Sequence, residues 1–172
     1  MTKDTSNTRR IMLALTEANS LPVYWRAVME HMADAPSELV TVFIRDDRWR
    51  RAASLPFTKE ISRASGSSIK FTPQRAEDVD RESVQHAQQQ VQRLAMESKI
   101  QLVFEILAEH ETKRFHEFVR SEADLLIAPS FFEKRPFFSE LAQLKCRILL
   151  IDAKDMTTDP KDDLHNRYGL AT

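Results

Sequence analysis

The sequence predicts an α/β fold, a doubly wound five-stranded parallel sheet with helices on both faces. Three observations predict it. Five short apolar runs recur along the chain, each bounded by turn or cap residues. Segments with helical spacing separate most of these runs, and strands that alternate with helices pair in parallel through right-handed crossovers. The runs are almost continuously apolar instead of strictly alternating, as strands covered on both faces are. At 172 residues the chain fits one domain, long enough to bury roughly 70% of its unfolded surface.

The elements follow in order. Arg10–Leu15 (RIMLAL) reads as the first strand. Ser20 is placed to cap a helix with Pro22 in its first turn, an apolar face of Leu21, Trp25, Val28 and Met32, and Pro36 beyond its end. Leu39–Ile44 is the second strand. Residues 45–71 carry turn signals at Ser65-Gly66-Ser67-Ser68 and no clear periodicity, so they are expected to be a mobile loop excursion. Thr72-Pro73 opens a long helix, with Glu77 and Asp78 suited to its N-terminal dipole. Its face of Val84, Ala87, Val91 and Leu94 runs to about Ser98, and the amide-rich stretch Gln85–Gln90 belongs to its solvated side. Ile100–Ala108 is the third strand, Phe115, Phe118 and Val119 line a third helix, and Asp124–Ala128 is the fourth strand. Pro136 opens a short helix lined by Phe137, Phe138, Leu141 and Leu144, and Arg147–Ile151 is the last strand. Residues 1–152 thus form the expected domain and 153–172 an acidic tail.

Composition removes several function classes. Only two glycines occur, Gly66 and Gly169, where average usage of about 7% would give about twelve. A P-loop and a dinucleotide fingerprint both need clustered glycines, so both are excluded. The single cysteine, Cys146, excludes an intramolecular disulfide framework and a multi-cysteine zinc site. The polar start MTKDTSNTRR carries no secretory signal, and the longest apolar runs have about five residues, against about twenty for a membrane span. A reducing, cytoplasmic location is therefore expected, with no membrane contact. The net charge of −1 argues against general nucleic-acid affinity. Charge is nevertheless uneven. Residues 45–75 hold eight Lys/Arg against three acids, a net of +5, and residues 152–163 hold five Asp against two Lys, a net of −3.

In an open α/β sheet, ligands bind beyond the carboxyl ends of the strands. The residues there are Thr16-Glu17-Ala18-Asn19, Arg45-Asp46-Asp47, Glu109-His110, Pro129-Ser130 and Asp152-Ala153-Lys154. Glu17, Glu109 and Lys154 only approximate a phospho-receiver set, in which the acceptor would be Asp. His116-Glu117-Phe118-Val119-Arg120 begins like a zinc-protease helix but has Arg where the second histidine must stand. Ser130 lacks the glycines of a nucleophile elbow, and Cys146 has the setting of a buried small hydrophobe. Trp49 lies among Arg48, Arg50 and Arg51, a set that could stack bases, although Asp46 and Asp47 neutralise part of it. No catalytic constellation emerges, and no metal site.

Arg10–Ser20 (RIMLALTEANS), Leu39–Asp46 (LVTVFIRD), the long helix and Ala123–Asp152 (ADLLIAPSFFEKRPFFSELAQLKCRILLID) together resemble the universal stress protein family. The resemblance covers residues 9–152 apart from 45–71. It implies a sheet of order 3-2-1-4-5, often dimeric through the last strand, with ATP bound in many members and not in others. The ATP pattern fails at each diagnostic place. The family's Asp after the first strand falls on Thr16. Its Gly-x2-Gly-x9-Gly-Ser/Thr sequence should follow the fourth strand, where Pro129-Ser130-Phe131-Phe132 stands. Glycines let backbone N–H groups close on phosphates, and Phe131, Phe132 and Pro136 do not.

The expected function is a non-enzymatic stress-response or regulatory module with no cofactor, acting through dimerisation and contacts with other proteins. Its dimer seam would be Ile148, Leu149, Leu150 and Ile151. The alternative is an adenine-nucleotide binder that holds ATP or AMP through Thr16, Val42, Arg45, Pro129 and Ser130. A third reading, a nucleotide hydrolase of the wider fold, lacks its Ser-Gly-Gly phosphate loop after Leu15.

Overall fold

A computed structural model of the chain describes residues 8–17, 19–45, 48–56, 59–61, 64–66 and 68–153. The acidic tail expected from residue 153 lies outside these beyond Ala153, as does part of the basic stretch, including Asp46 and Asp47. The elements are β1 (Arg9–Leu15), α1 (Leu21–Asp34), β2 (Ser37–Arg45), α2 (Arg48–Ser54), β3 (Lys59–Ile61), β4 (Ser68–Lys70), α3 (Pro73–Glu97), β5 (Leu102–Ala108), β6 (Leu125–Pro129), α4 (Phe138–Ala142) and β7 (Arg147–Ile151). Two 3-10 helices, Glu109–Glu117 and Ser130–Lys134, follow β5 and β6.

The main sheet runs β5-β2-β1-β6-β7, all parallel. Counted along the chain, its strands stand in the order 3-2-1-4-5. Side chains alternate between two cores. Ile11, Leu13 and Leu15 of β1 pack with Leu21, Trp25 and Val28 of α1 and Ala87, Val91 and Ala95 of α3. Met12 and Ala14 face the opposite side, against Phe115, Phe132, Phe137 and Leu141. Both faces are covered, which is why the strands read as unbroken apolar runs.

Some local readings need correction. Ser20 precedes α1 in the left-handed region, φ 60°, and its hydroxyl makes no cap; its carbonyl accepts from Val23 N–H at 3.0 Å. Thr72 does cap α3, its Oγ1 accepting from Arg75 N–H at 3.2 Å. The third helix is a 3-10 helix over Glu109–Glu117 that stops short of Phe118 and Val119. Glu111 shapes its start by accepting from Ala108 N–H at 3.0 Å, and that bond, aided by Arg114, holds the Glu111 carboxyl below the usual range. Residues 45–71 hold regular structure where an irregular excursion was expected: α2, and the antiparallel hairpin β3–β4. Arg75 at the start of α3 grips Glu60 of β3 through two bonds of 2.7 and 2.8 Å. That fork ties the hairpin to the main body, and it lowers the Glu60 pKa.

A buried clamp joins the strands at their amino ends. Asp124 is fully buried, and its carboxylate accepts from the N–H groups of Arg10 (2.9 Å), Arg120 (2.7 Å) and Ser121 (3.2 Å). Its carbonyl accepts from Arg147 N–H at 3.1 Å. One residue therefore fixes the entry to β6 against both β1 and β7.

Candidate functional site

From β1 the chain crosses to β2 on one side, while β6 lies on the other, paired through Leu13↔Ile127. The gap between the carboxyl ends of β1 and β6 is the topological switch point, where ligands of such sheets sit. A cavity of about 500 Å³ opens there. Glu17, Asn19 and Ser20 line it after β1, Tyr24 from α1, Ser130, Phe131, Glu133 and Lys134 after β6, and Asp152 and Ala153 after β7.

The described lining of this cavity is mainly acidic. Among the described lining residues, Glu17, Glu133 and Asp152 stand with Lys134. Tyr24 feels that field. Its pKa is raised above the ordinary value, first by burial and then by the carboxylates of Glu17 and Asp152. The segment after β6 is packed into the core. Phe132 is fully buried and packs edge-on against Phe131 and Phe137, with ring centres 5.2 Å apart in each case. Arg135 lies 5.8 Å over the Phe137 ring. The chain after β6 is therefore a plug of aromatic core.

The structure scatters the residues expected to bind a ligand. Ser130 lines the switch-point cavity, with Thr16 buried beside it at the end of β1 and Pro129 buried at the end of β6. Val42 is fully buried in the sheet, in the core that contains Phe115 and Phe132, and lines no described cavity. Arg45 ends β2 on the far side of β1. Its guanidinium stands 3.6 Å from Asp80 of α3, in a separate cavity of about 380 Å³ with Glu77 and Arg81. Val42 and Arg45 therefore do not line the cavity that Ser130 lines. Sequence reading also missed Tyr24, because the stripe Leu21, Trp25, Val28 passes it by. Its signal was a lone phenol on an apolar helix that begins six residues after a strand end.

Ile148, Leu149, Leu150 and Ile151 belong to β7, an edge of the sheet, and all four are half-buried. Leu149 and Ile151 lean on one core and Ile148 and Leu150 on the other. The opposite edge, β5, exposes Val103 and Ile106 at 43% each.

Elsewhere the polar clusters are structural. Glu109, at the end of β5, lies 3.0 Å from Arg135 and 3.7 Å from Arg51, so ion pairs occupy the place a phospho-acceptor would need. Cys146 is half-buried, and burial followed by the Asp124 charge pushes its thiol up, opposite to a reactive thiolate. Among the described residues no three His, Cys, Asp or Glu side chains gather to hold a metal ion. Nor is any described helix long and apolar enough to cross a membrane.

No known family model and no curated protein matches the sequence. Solved structures do match. A crystal structure of a protein from the universal stress protein family of Burkholderia pseudomallei superposes with a TM-score of 0.54, covering 85% of this chain and 98% of that one at 14% identity. The chain has the universal stress protein fold. At that identity the likeness speaks to architecture, and activity has to be argued from side chains. Within this universal stress protein fold the switch point carries the cavity lined by Glu17, Tyr24, Ser130 and Asp152, beside the buried ring of Phe132.

Proposed function

We propose that the chain is a non-catalytic regulatory module of the stress-response kind, working in the cytoplasm through self-association and contacts with other proteins, without bound ATP. The aromatic plug after β6 is the observation that carries this reading. Phe132 occupies the core where a phosphate loop would need open backbone, and the described lining of the cavity beside it holds more acids than bases, which disfavours an anion. β7 supports self-association: an apolar edge strand offers unpaired backbone groups to a second copy.

Melting curves with and without millimolar Mg-ATP test the first half. A ligand at 100 times its Kd stabilises by about 2.7 kcal/mol, so a rise of several degrees would overturn the reading in favour of a nucleotide binder. Sedimentation tests the second half. The wild type is expected at about 40 kDa, twice the chain mass of 19.9 kDa, and Ile151→Lys is expected to shift it toward monomer. A wild-type monomer at tens of micromolar, a concentration chosen well above ordinary dimer affinities, would sink the dimer.

A further inference from the structure

The hairpin β3–β4 turns a basic face to solvent. Its register sets Lys59 directly opposite Lys70, and Ile61 opposite Ser68 two residues along. Successive side chains of a strand point to opposite faces. Glu60 points to the main body, where Arg75 holds it at 2.7 and 2.8 Å, so Lys59 and Ile61 point away from it. Lys59, Ser68 and Lys70 are exposed, and so is Ile61, at 67%. Like charges directly across a strand pair are destabilising. Nothing described relieves this pair. Glu60 is the only acid between residues 57 and 71, Arg75 occupies it, and neither lysine makes an ion pair among the described residues.

We propose that the acidic segment Asp155–Asp163 of the same chain docks on this basic face, its carboxylates pairing with Lys59 and Lys70. The segment holds four Asp against one Lys, a net of −3, so it supplies the counter-charges that the lysine pair lacks. Topology brings the two together. The described residues end at Ala153, just past β7. All five strands are parallel, so β7 delivers the chain to the end of the sheet at which β2 also finishes. The hairpin belongs to that end. Arg45, the last residue of β2, stands 3.6 Å from Asp80 near the start of α3, and Arg75 in the first turn of α3 grips the hairpin. β7 lies three strands from β2, about 14 Å at the usual strand spacing. Residues 154–163 span roughly 33 Å when extended, enough to cross the sheet end and the layer of α3. A docked segment also masks the basic face from other anions, nucleic acid included. The inference goes beyond the stress-module reading and depends on neither the β7 dimer nor the absence of ATP.

Zero-length carbodiimide cross-linking of the full chain, read by mass spectrometry, tests it, because the reagent joins only amines and carboxylates already in contact. At low salt Lys59 and Lys70 should link to Asp155–Asp163. Lys134 lines the same cavity as Ala153, so it is the control for mere nearness to the start of the segment. Links to Lys134 as abundant as those to the hairpin, or no hairpin links at all, would overturn the proposal. At 1 M salt, where the screening length is about 3 Å, the hairpin links should fall several-fold. Asp159→Asn, Asp162→Asn and Asp163→Asn together leave Asp155 as reporter, and its hairpin links should also fall several-fold; an unchanged yield would remove charge as the cause and sink the idea. In an equal mixture of unlabelled and isotope-labelled chains the links should stay within one isotope. Links that mix the isotopes would give the face to the segment of a second copy instead, against the proposal. Single-stranded DNA should retain the asparagine variant more strongly than the wild type, and equal retention would show that the face is uncovered and refute it.

Discussion

Phe132→Ala asks whether the segment after β6 is core or loop. The side chain is fully buried, packs in the core with Phe115, Phe137 and Leu141, and makes edge-on contacts at 5.2 Å with two aromatic rings. Truncating a buried phenylalanine costs about 3–5 kcal/mol, transfer and cavity terms together. Each lost ring pair adds about 0.5–1.5 kcal/mol, so the upper half of that range is expected, roughly 4–5 kcal/mol. For a chain of this size 1 kcal/mol moves the melting temperature by about 2–4 °C, which puts the variant roughly 10–15 °C below the wild type. Urea unfolding followed by circular dichroism measures the loss directly, provided the slope m is unchanged. Phe131→Ala is the internal control: its ring is 42% exposed, so it should lose much less. If Phe132→Ala cost under 1 kcal/mol, the segment would be a peripheral loop, and the argument that core has replaced a phosphate loop would collapse.

Three further outcomes follow from the same structure. Asp124→Asn puts an amide where the carboxylate accepts three backbone N–H groups, and should cost about 2–4 kcal/mol in urea unfolding because a buried donor is left unpaired; a loss below 0.5 kcal/mol would show that water reaches the clamp. Lys99 stands just past the Ser98 cap of α3 at φ 56°, so Lys99→Gly should stabilise by about 1 kcal/mol, and a lower melting point would mean that its side chain matters more than its backbone. Glu60 is held below the usual carboxylate range by Arg75, so its contribution is present above its unfolded pKa and is lost as pH falls through the lower folded value. Hydrogen exchange in β3–β4 should therefore be faster in Glu60→Gln than in the wild type at pH 7, and the two should converge in acid; a gap that persists at low pH would assign the effect to packing.

The sheet was legible because its strands are buried on both faces. Ile11 to Leu15 and Leu125 to Ala128 are fully apolar and nearly fully buried, so hydropathy alone located them, and the helices between them set the parallel order. Residues 45–71 were not legible for the opposite reason. α2 spans seven residues and the strands of the hairpin three each, too short for a period to show. The hairpin is tied down by the Glu60–Arg75 fork, a contact 15 residues apart that no local pattern announces. Ser20 looked like a cap by composition, yet its backbone is left-handed and its hydroxyl makes no cap bond. A chain with only two glycines has to use serine and lysine at such corners.

The site was half legible for a topological reason. Chain position tells which residues follow a strand but not which strand ends are neighbours. Arg45 closes one strand and Ser130 follows another, yet β1 stands between β2 and β6, and the two residues line different cavities. Glu17, Ser130 and Asp152 do converge, because β1, β6 and β7 are adjacent. Sign follows from that adjacency. The strand ends that meet at the switch point bring carboxylates, whereas the arginine at the end of β2 is drawn off to Asp80 on α3. In this architecture, then, the charge at the switch point is set by a few strand-end residues and not by the sheet order, so likeness of fold does not carry a ligand with it.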